Sequence, residues 1–387
     1  MQKTYEIKTY GCQMNVHESG KVAIALESIG YVMPGEGVVP DVLIFNTCTV
    51  RNTAESKILS HIALAVYEKQ KKHNKQIIAV VGCLSQRDGA GKKLRQRFPE
   101  IDIIIGTHNI SKIAEFVKRA EAGERIFEIK KEREKAEQFD NLVVPGDPQK
   151  PNTHYVNISH GCDNFCTYCI VPYVRGALTM RPSAEITNEF TTIVKTIKEK
   201  QSRETHTIYL LGQNVNNYFC NETGLDFTAL LKHLCNLVDD KIMINFLSAH
   251  PRDVSPKLVD IIAQYPQIER NIHLPIQSGS DKILEQMNRG YSVADYKSII
   301  TEWRTKIPGI RITTDIICGF PGETAQDFDD TVKTIQDIEF NAAFIFPFSR
   351  RSGTPADKMD NQVSHAEKKK RTTQLIAIQR EISKKLG

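Results

Sequence analysis

Three apolar runs in the first quarter of the chain each end, within a residue or two, in a cysteine. Tyr5–Tyr10 leads into Gly11-Cys12, Asp41–Phe45 into Asn46-Thr47-Cys48, and Gln76–Val81 into Gly82-Cys83. Runs of this length and character read as strands. The intervals, 36 residues from Cys12 to Cys48 and 35 from Cys48 to Cys83, each hold one strand–helix–strand unit. Helical periodicity fills them at Val16–Ile29 and Ala54–His73. It returns at Ile110–Ala122, after a fourth apolar run, Ile101–Ile105, that ends at Gly106 without a cysteine. This alternation predicts an α/β domain with a parallel, doubly wound sheet. Its strands all point one way, so three cysteines placed just after three strands gather at one edge. That is the edge where open α/β sheets bind ligands.

A second series of strand and helix patterns begins at His154. Candidate strands are Tyr155–Ser159, Thr207–Leu211, Ile242–Leu247, Asn271–Pro275, Ile310–Ile317 and Ala342–Pro347. Helical patterns lie between them, including Ser183–Lys200, Phe227–Val238, Val293–Lys306 and Thr324–Ile338. Six such units predict a partial (β/α)6 TIM-like barrel, whose chemistry belongs at the C-terminal strand ends. The domain plan is then 1–128 for the sheet domain, 129–153 for a charged and Pro/Gly-containing linker, 154–362 for the barrel, and 363–387 for a C-terminal helix. A charged helix over 128–138 is the alternative reading of the linker's start. The basic run Lys368-Lys369-Lys370-Arg371 reads as a solvated helix face.

With 387 residues, 40% hydrophobic and 25% charged, the chain has the composition of a water-soluble protein of two or more domains. No stretch approaches the run of about 20 apolar residues that spans a bilayer, and the first residues show no signal-peptide core. The expected location is the cytoplasm, with no membrane partner. A net charge of +5 is compatible with an RNA partner but does not indicate one. Nine cysteines in a reducing compartment point away from disulfides and toward metal or redox chemistry.

The densest signal follows the first barrel strand. Cys162, Cys166 and Cys169 form C-x3-C-x2-C within one loop. Three thiolates so placed can each take one iron of a cubane cluster, leaving the fourth iron open to a guest molecule. Structural zinc is the rival, but it normally asks for four ligands and no fourth companion is suitably spaced. Cys220, Cys235 and Cys318 are scattered and read as ordinary thiols, and Trp303 as core.

The run Gly161-Cys162-Asp163-Asn164-Phe165-Cys166-Thr167-Tyr168-Cys169-Ile170-Val171-Pro172-Tyr173-Val174-Arg175-Gly176 resembles the radical S-adenosylmethionine (SAM) methylthiotransferase family. Thr9-Tyr10-Gly11-Cys12-Gln13-Met14-Asn15, Asn46-Thr47-Cys48 and Val81-Gly82-Cys83 match the same family, so the likeness runs over about residues 3–360. The resemblance implies a radical SAM barrel and two [4Fe–4S] clusters. Cys162, Cys166 and Cys169 would hold the cluster that binds SAM. Cys12, Cys48 and Cys83 would hold an auxiliary cluster that carries the sulfur. SAM would serve as both radical source and methyl donor. The implied partners are tRNA and an electron donor such as a flavodoxin or ferredoxin, with the enzyme monomeric.

Among the family's branches, Leu211-Gly212-Gln213-Asn214-Val215-Asn216, Ser248-Ala249-His250-Pro251, His273-Leu274-Pro275-Ile276-Gln277-Ser278-Gly279-Ser280 and Met287-Asn288-Arg289-Gly290-Tyr291 resemble the MiaB type. That branch acts on isopentenyladenosine in tRNA. The other branches take threonylcarbamoyladenosine in tRNA or a ribosomal-protein aspartate, and a different class of reading is a metal-stabilised RNA-binding module without catalysis. Tyr168, Gln213, Asn214, His273, Gln277, Asp315 and Gly319 are the candidates to bind SAM, although Gln213, Asn214 and Asn216 could instead satisfy backbone groups in a turn and Gly319 could serve a tight strand–helix turn. Arg175, Arg350 and Arg351 are the candidates for a phosphate-bearing substrate. Two departures stand out. Ala177-Leu178-Thr179-Met180-Arg181-Pro182 replaces a basic, serine-containing run, and the RNA-binding TRAM domain expected after the last helix is absent or truncated.

Overall fold

The computed structural model describes residues 2–49, 52–72, 74–132, 137–200 and 204–387. The chain divides into two compact units. One comprises residues 1–155 and 170–177, the other 156–169 and 178–387.

The first unit is built on five parallel strands: Tyr5–Thr9, Val42–Thr47, Ile77–Gly82, Ile103–Ile105 and Ile126–Glu128. They lie side by side in chain order. The three cysteine-bearing strands are therefore immediate neighbours, in register from Tyr5 opposite Val42 and Val42 opposite Ile77. Successive residues of a strand face opposite sides, and both sides are buried. Val42 and Ile44 pack with Val22, Leu26, Ile113 and Phe116 from helices on one face. Leu43 and Phe45 pack with Ile58, Ile62 and Val66 from the helix on the other. Burying such side chains contributes about 1.5–3 kcal/mol each, which explains why these strands read as continuous apolar runs.

The helices expected at Val16–Ile29, Ala54–His73 and Ile110–Ala122 appear as Gln13–Glu27, Asn52–Lys72 and Ile113–Glu121. His73 lies outside the described residues. The fifth strand is only three residues long and gave no periodic signal. Within the segment expected as a linker, Phe139 is buried in the sheet's core, and Val144 fills the space beside Gly20. Residues 133–136 of the alternative charged helix lie outside the described residues, and Glu137–Asp140 is a short helical turn.

The barrel strands are Thr153–Asn157, which enters the second unit at Val156, and, within that unit, His206–Leu211, Ile242–Phe246, Asn271–His273, Arg311–Cys318 and Ala342–Pro347. The first three form one sheet and the last three another. Asn245 Nδ2 donates to Asn271 O at 3.5 Å between the two. Helices are capped where their sequences announce it, as at Ser292 and Thr324, each with a reciprocal Asp three residues on. Trp303 is fully buried, as expected. The final helix, His365–Leu386, departs from the solvated reading. Lys369 and Lys370 are exposed, but Lys368 and Arg371 are buried. Arg371 pairs with Glu323 at 2.6 Å, and Lys368 lies over the ring of Phe348. Among the described residues no helix is long and apolar enough to cross a membrane.

Candidate functional site

The first cysteine trio sits at the C-terminal edge of the five-stranded sheet. Two glycines let its loops close together. A Cβ on Gly11 (φ +119°) would lie 2.6 Å from the Cβ of Cys48, and one on Gly82 (φ +97°) would lie 2.6 Å from the carbonyl oxygen of Thr47. Polar side chains then join the loops. Asn15 Nδ2 donates to the Tyr10 and Thr47 carbonyls, both at 3.0 Å. Asn46 Nδ2 donates to Asn15 O and to Ser19 Oγ, both at 3.0 Å. Thr47 Oγ1 donates to Val81 O at 2.6 Å. Cys48 and Cys83 are buried, and Cys12 is open to solvent. Burial pushes the Cys83 thiol up to about 12, against the pull of the Arg175 guanidinium. A thiol so buried becomes thiolate most readily when it binds a cation. Asn15 and Asn46 stood in the sequence only as letters of the cysteine motifs, and Glu18 carried no signal at all.

The second trio occupies the loop after the first barrel strand. Cys162 and Cys166 are buried and Cys169 is half-buried. Burial raises the Cys162 thiol, with the Cys166 charge adding to it. Arg289 is the residue that sequence reasoning left without a role. It is buried and donates from Nη1 to Cys166 Sγ at 3.3 Å and to Tyr168 Oη at 3.4 Å, and from Nη2 to Pro275 O at 3.0 Å. Its guanidinium also lies 5.3 Å from the ring of Tyr291. Asn288 (φ +57°) reaches the same loop, donating to Asn164 O and Phe165 O.

Of the residues expected around SAM, Tyr168 packs beside Met287 and Phe320. Burial raises its hydroxyl well above the usual phenol range. Gln213 and Asn214 follow the second barrel strand. Asn214 Nδ2 donates to Asp253 at 2.6 Å, while Gln213 Oε1, Asn214 Oδ1 and both polar atoms of Asn216 are buried and find no hydrogen-bond partner among the described residues. Such orphans call for a polar guest. His273 meets Thr313 at 3.0 Å and Asp315 at 3.3 Å. Gln277 is held at φ +72° between the Asp315 carbonyl and the Ile317 amide. Non-glycine residues in that region store strain and cluster at functional sites, and Ser248 (φ +67°) shares the condition. Gly319 is backed by the Lys368 side chain, and its amide donates to Glu323 at 2.9 Å. Next to Arg289, burial holds His250 down to about 3, so its imidazole stays neutral at working pH.

The three arginines expected at the substrate part company. Arg350 is at the surface, paired with Asp357 at 3.0 Å. Arg351 is buried, its carbonyl accepting from Thr354. Arg175 is buried inside the first unit, 2.8 Å from Glu18. The scattered thiols also differ. Burial pushes Cys235 and Cys318 up to about 12. At Cys220 hydrogen bonds from Ser183 and Thr223 outweigh burial and hold the thiol at about 6.

Among the described residues no three His, Cys, Asp or Glu side chains converge on the position of one metal ion. Three thiols in such a trio can each take one iron of a cubane cluster. Each trio, in its own unit, thus has the donor chemistry for an iron–sulfur cluster. The second adds an N–H donor to the Cys166 sulfur and orphaned polar atoms at a neighbouring strand end.

Two family models match the chain: Uncharacterized protein family UPF0004 over residues 4–106 and Radical SAM superfamily over residues 156–335. Among solved structures, the radical SAM methyltransferase TsrM from Kitasatospora setae aligns over 92% of this chain and 75% of its own, with TM-score 0.63 and 11% identity. The cobalamin-dependent SAM radical enzyme OxsB aligns over 99% of this chain and 56% of its own, with TM-score 0.59 and 14% identity. At these identities the likeness is one of fold. Curated relatives are much nearer. The tRNA-2-methylthio-N(6)-dimethylallyladenosine synthase of Carboxydothermus hydrogenoformans is 39% identical over 100% of this chain and 85% of its own length. That of Alkaliphilus oremlandii is 40% identical over 100% and 79%, and that of Clostridium tetani 39% over 97% and 80%. Identity sustained across both units, over the sheet and the barrel alike, means that the chain belongs to the radical SAM methylthiotransferases, in the family of tRNA-2-methylthio-N(6)-dimethylallyladenosine synthases.

Proposed function

We propose that the chain adds a methylthio group to N(6)-isopentenyladenosine beside the anticodon of tRNA. The observation that supports this reading is the pair of three-cysteine housings, each in its own unit, in a chain aligned end to end with synthases of that name. When bound, two [4Fe–4S] clusters and SAM supply the carbon radical, the sulfur and the methyl group.

The protein's own part is binding, orientation and exclusion. Cys162, Cys166 and Cys169 hold the SAM-binding cluster, with Arg289 fixing the Cys166 sulfur through its N–H donor. Gln213, Asn214 and Asn216 present their orphaned atoms to SAM, and His273, Gln277, Asp315 and Tyr168 are the further candidates for its binding. His250, kept neutral, adds no charge beside Arg289 and the cluster loop. Cys12, Cys48 and Cys83 hold the second cluster, and Asn15 and Asn46 keep their three loops in register. Arg350, at the surface, is the candidate for a tRNA phosphate. We place the enzyme in the cytoplasm as a monomer, reduced by a flavodoxin or ferredoxin.

The test is anaerobic incubation of the reconstituted protein with SAM, reductant and tRNA bearing isopentenyladenosine, followed by nucleoside mass analysis. Methylthio-isopentenyladenosine is the expected product. Mass gain only on threonylcarbamoyladenosine, or on a ribosomal-protein aspartate, overturns the substrate reading. Zinc in place of iron, with no product, overturns the reaction.

A further inference from the structure

An arginine from far along the chain returns to the first cysteine trio. The helix Val171–Arg175 begins two residues after Cys169, yet it packs with the N-terminal unit. Ile170 and Val174 lie against Cys83. Arg175, at the end of that helix, is buried. Its guanidinium forms a two-pronged pair with Glu18, at 2.8 and 3.2 Å, and donates to Asn15 Oδ1 at 3.0 Å. Cys12 Sγ lies 3.7 Å from the same Asn15 oxygen. Two salt-linked contacts and one amide contact leave the arginine no rotamer freedom, so its charge is fixed in place beside the ligand sulfurs. A buried Arg–Glu pair is rarely retained for stability alone, because desolvating both charges offsets most of their attraction.

We propose that Arg175, clamped by Glu18 and Asn15, is a positioning residue that sets the reduction potential of the cluster held by Cys12, Cys48 and Cys83, making that cluster easier to reduce. The proposal rests on the reading that this trio holds a cluster. Reduction adds one electron to the cluster, and a fixed positive charge nearby favours the reduced form. Glu18 tempers that effect while holding the guanidinium in its one geometry.

The experiment uses the full chain with Cys162, Cys166 and Cys169 all changed to Ala, so that only the first trio can carry iron. It is reconstituted anaerobically and titrated with dithionite under EPR. Against this parent, Arg175→Met is expected to raise the oxidised-to-reduced ratio at the parent's midpoint about tenfold, equivalent to 59 mV for a one-electron couple. Glu18→Gln is expected to shift it the other way, and Arg175→Lys to stay near the parent. A role in packing alone would lower iron content in every variant without opposite shifts. Equal potentials in all variants, or shifts of one sign for Arg175→Met and Glu18→Gln, overturn the proposal. If Arg175→Met fails to take up iron, Glu18→Gln and Arg175→Lys still decide it by the same criterion. A parent that binds no iron overturns the cluster reading itself, and is told apart by the missing signal.

Discussion

Cys12, Cys48 and Cys83 stand at the ends of three neighbouring strands, whereas Cys162, Cys166 and Cys169 share one loop. The first arrangement is rigid because the sheet is rigid. Its thiols are placed by a parallel register, by two glycines at positive φ and by a lattice of Asn and Thr side chains. The second arrangement is local in sequence, and distant residues must steady it. Arg289, Asn288 and Arg252, distant in the sequence, hold the loop through hydrogen bonds to Cys166 and Asn164. A housing spread over the sheet should therefore be sensitive to backbone packing, and a housing in a loop should be sensitive to the side chains that brace it.

The largest effects should separate the two trios. Changing Cys162, Cys166 or Cys169 to Ala is expected to abolish SAM cleavage, measured as 5′-deoxyadenosine. Changing Cys12, Cys48 or Cys83 is expected to spare some cleavage and stop methylthio product. Equal loss of both readouts from either set would erase the division. Next, Arg289→Met should lower SAM cleavage by about 10–100-fold, the usual effect of losing a partner of a metal ligand. Arg289→Lys should recover part of it, because it can still donate to sulfur. A variant that cleaves normally would show that the loop needs no brace.

On the sheet side, Gly82→Ala places a methyl group 2.6 Å from the Thr47 carbonyl at φ +97°. It should cost about 3 kcal/mol in thermal or denaturant unfolding and reduce iron at the first trio. Unchanged stability would mean that the three loops are less tightly joined than their hydrogen bonds imply.

The smallest expected effect lies on the barrel, away from both trios. Asp327 completes the capping box that Thr324 opens on the helix Ala325–Ile338, and it accepts from Lys282, Thr324 and Ser280. Burial raises its carboxyl, but these donors outweigh it and hold the group well below the usual carboxylate range. Because the folded value is depressed, its stabilisation is present above about pH 4 and is lost as pH falls further. Asp327→Asn should cost about 1 kcal/mol at neutral pH and flatten the acid limb of unfolding, without changing iron content.

Much of this was legible from the sequence, and the gaps have physical reasons. The strands and cysteines were legible because each carries a local signal, an apolar run or a close spacing. The pairing of Arg175 with Glu18 was not, because it spans 157 residues and leaves no periodic trace, so the sequence offers Arg175 only as a substrate contact. Arg289 was visible only as a letter in a resemblance, its bond to Cys166 spanning 123 residues. Lys368 and Arg371 looked like a solvated face because charge suggests exposure. The structure buries them because Glu323 and the ring of Phe348 receive their charges.

The most direct test is the iron and acid-labile sulfide content of three reconstituted proteins: the native chain, the chain with Cys12, Cys48 and Cys83 all changed to Ala, and the chain with Cys162, Cys166 and Cys169 all changed to Ala. Two independent cubanes predict about eight irons in the first and about four in each of the others. If either triple variant keeps all eight, or loses them all, the trios are not separate housings and the account is contradicted.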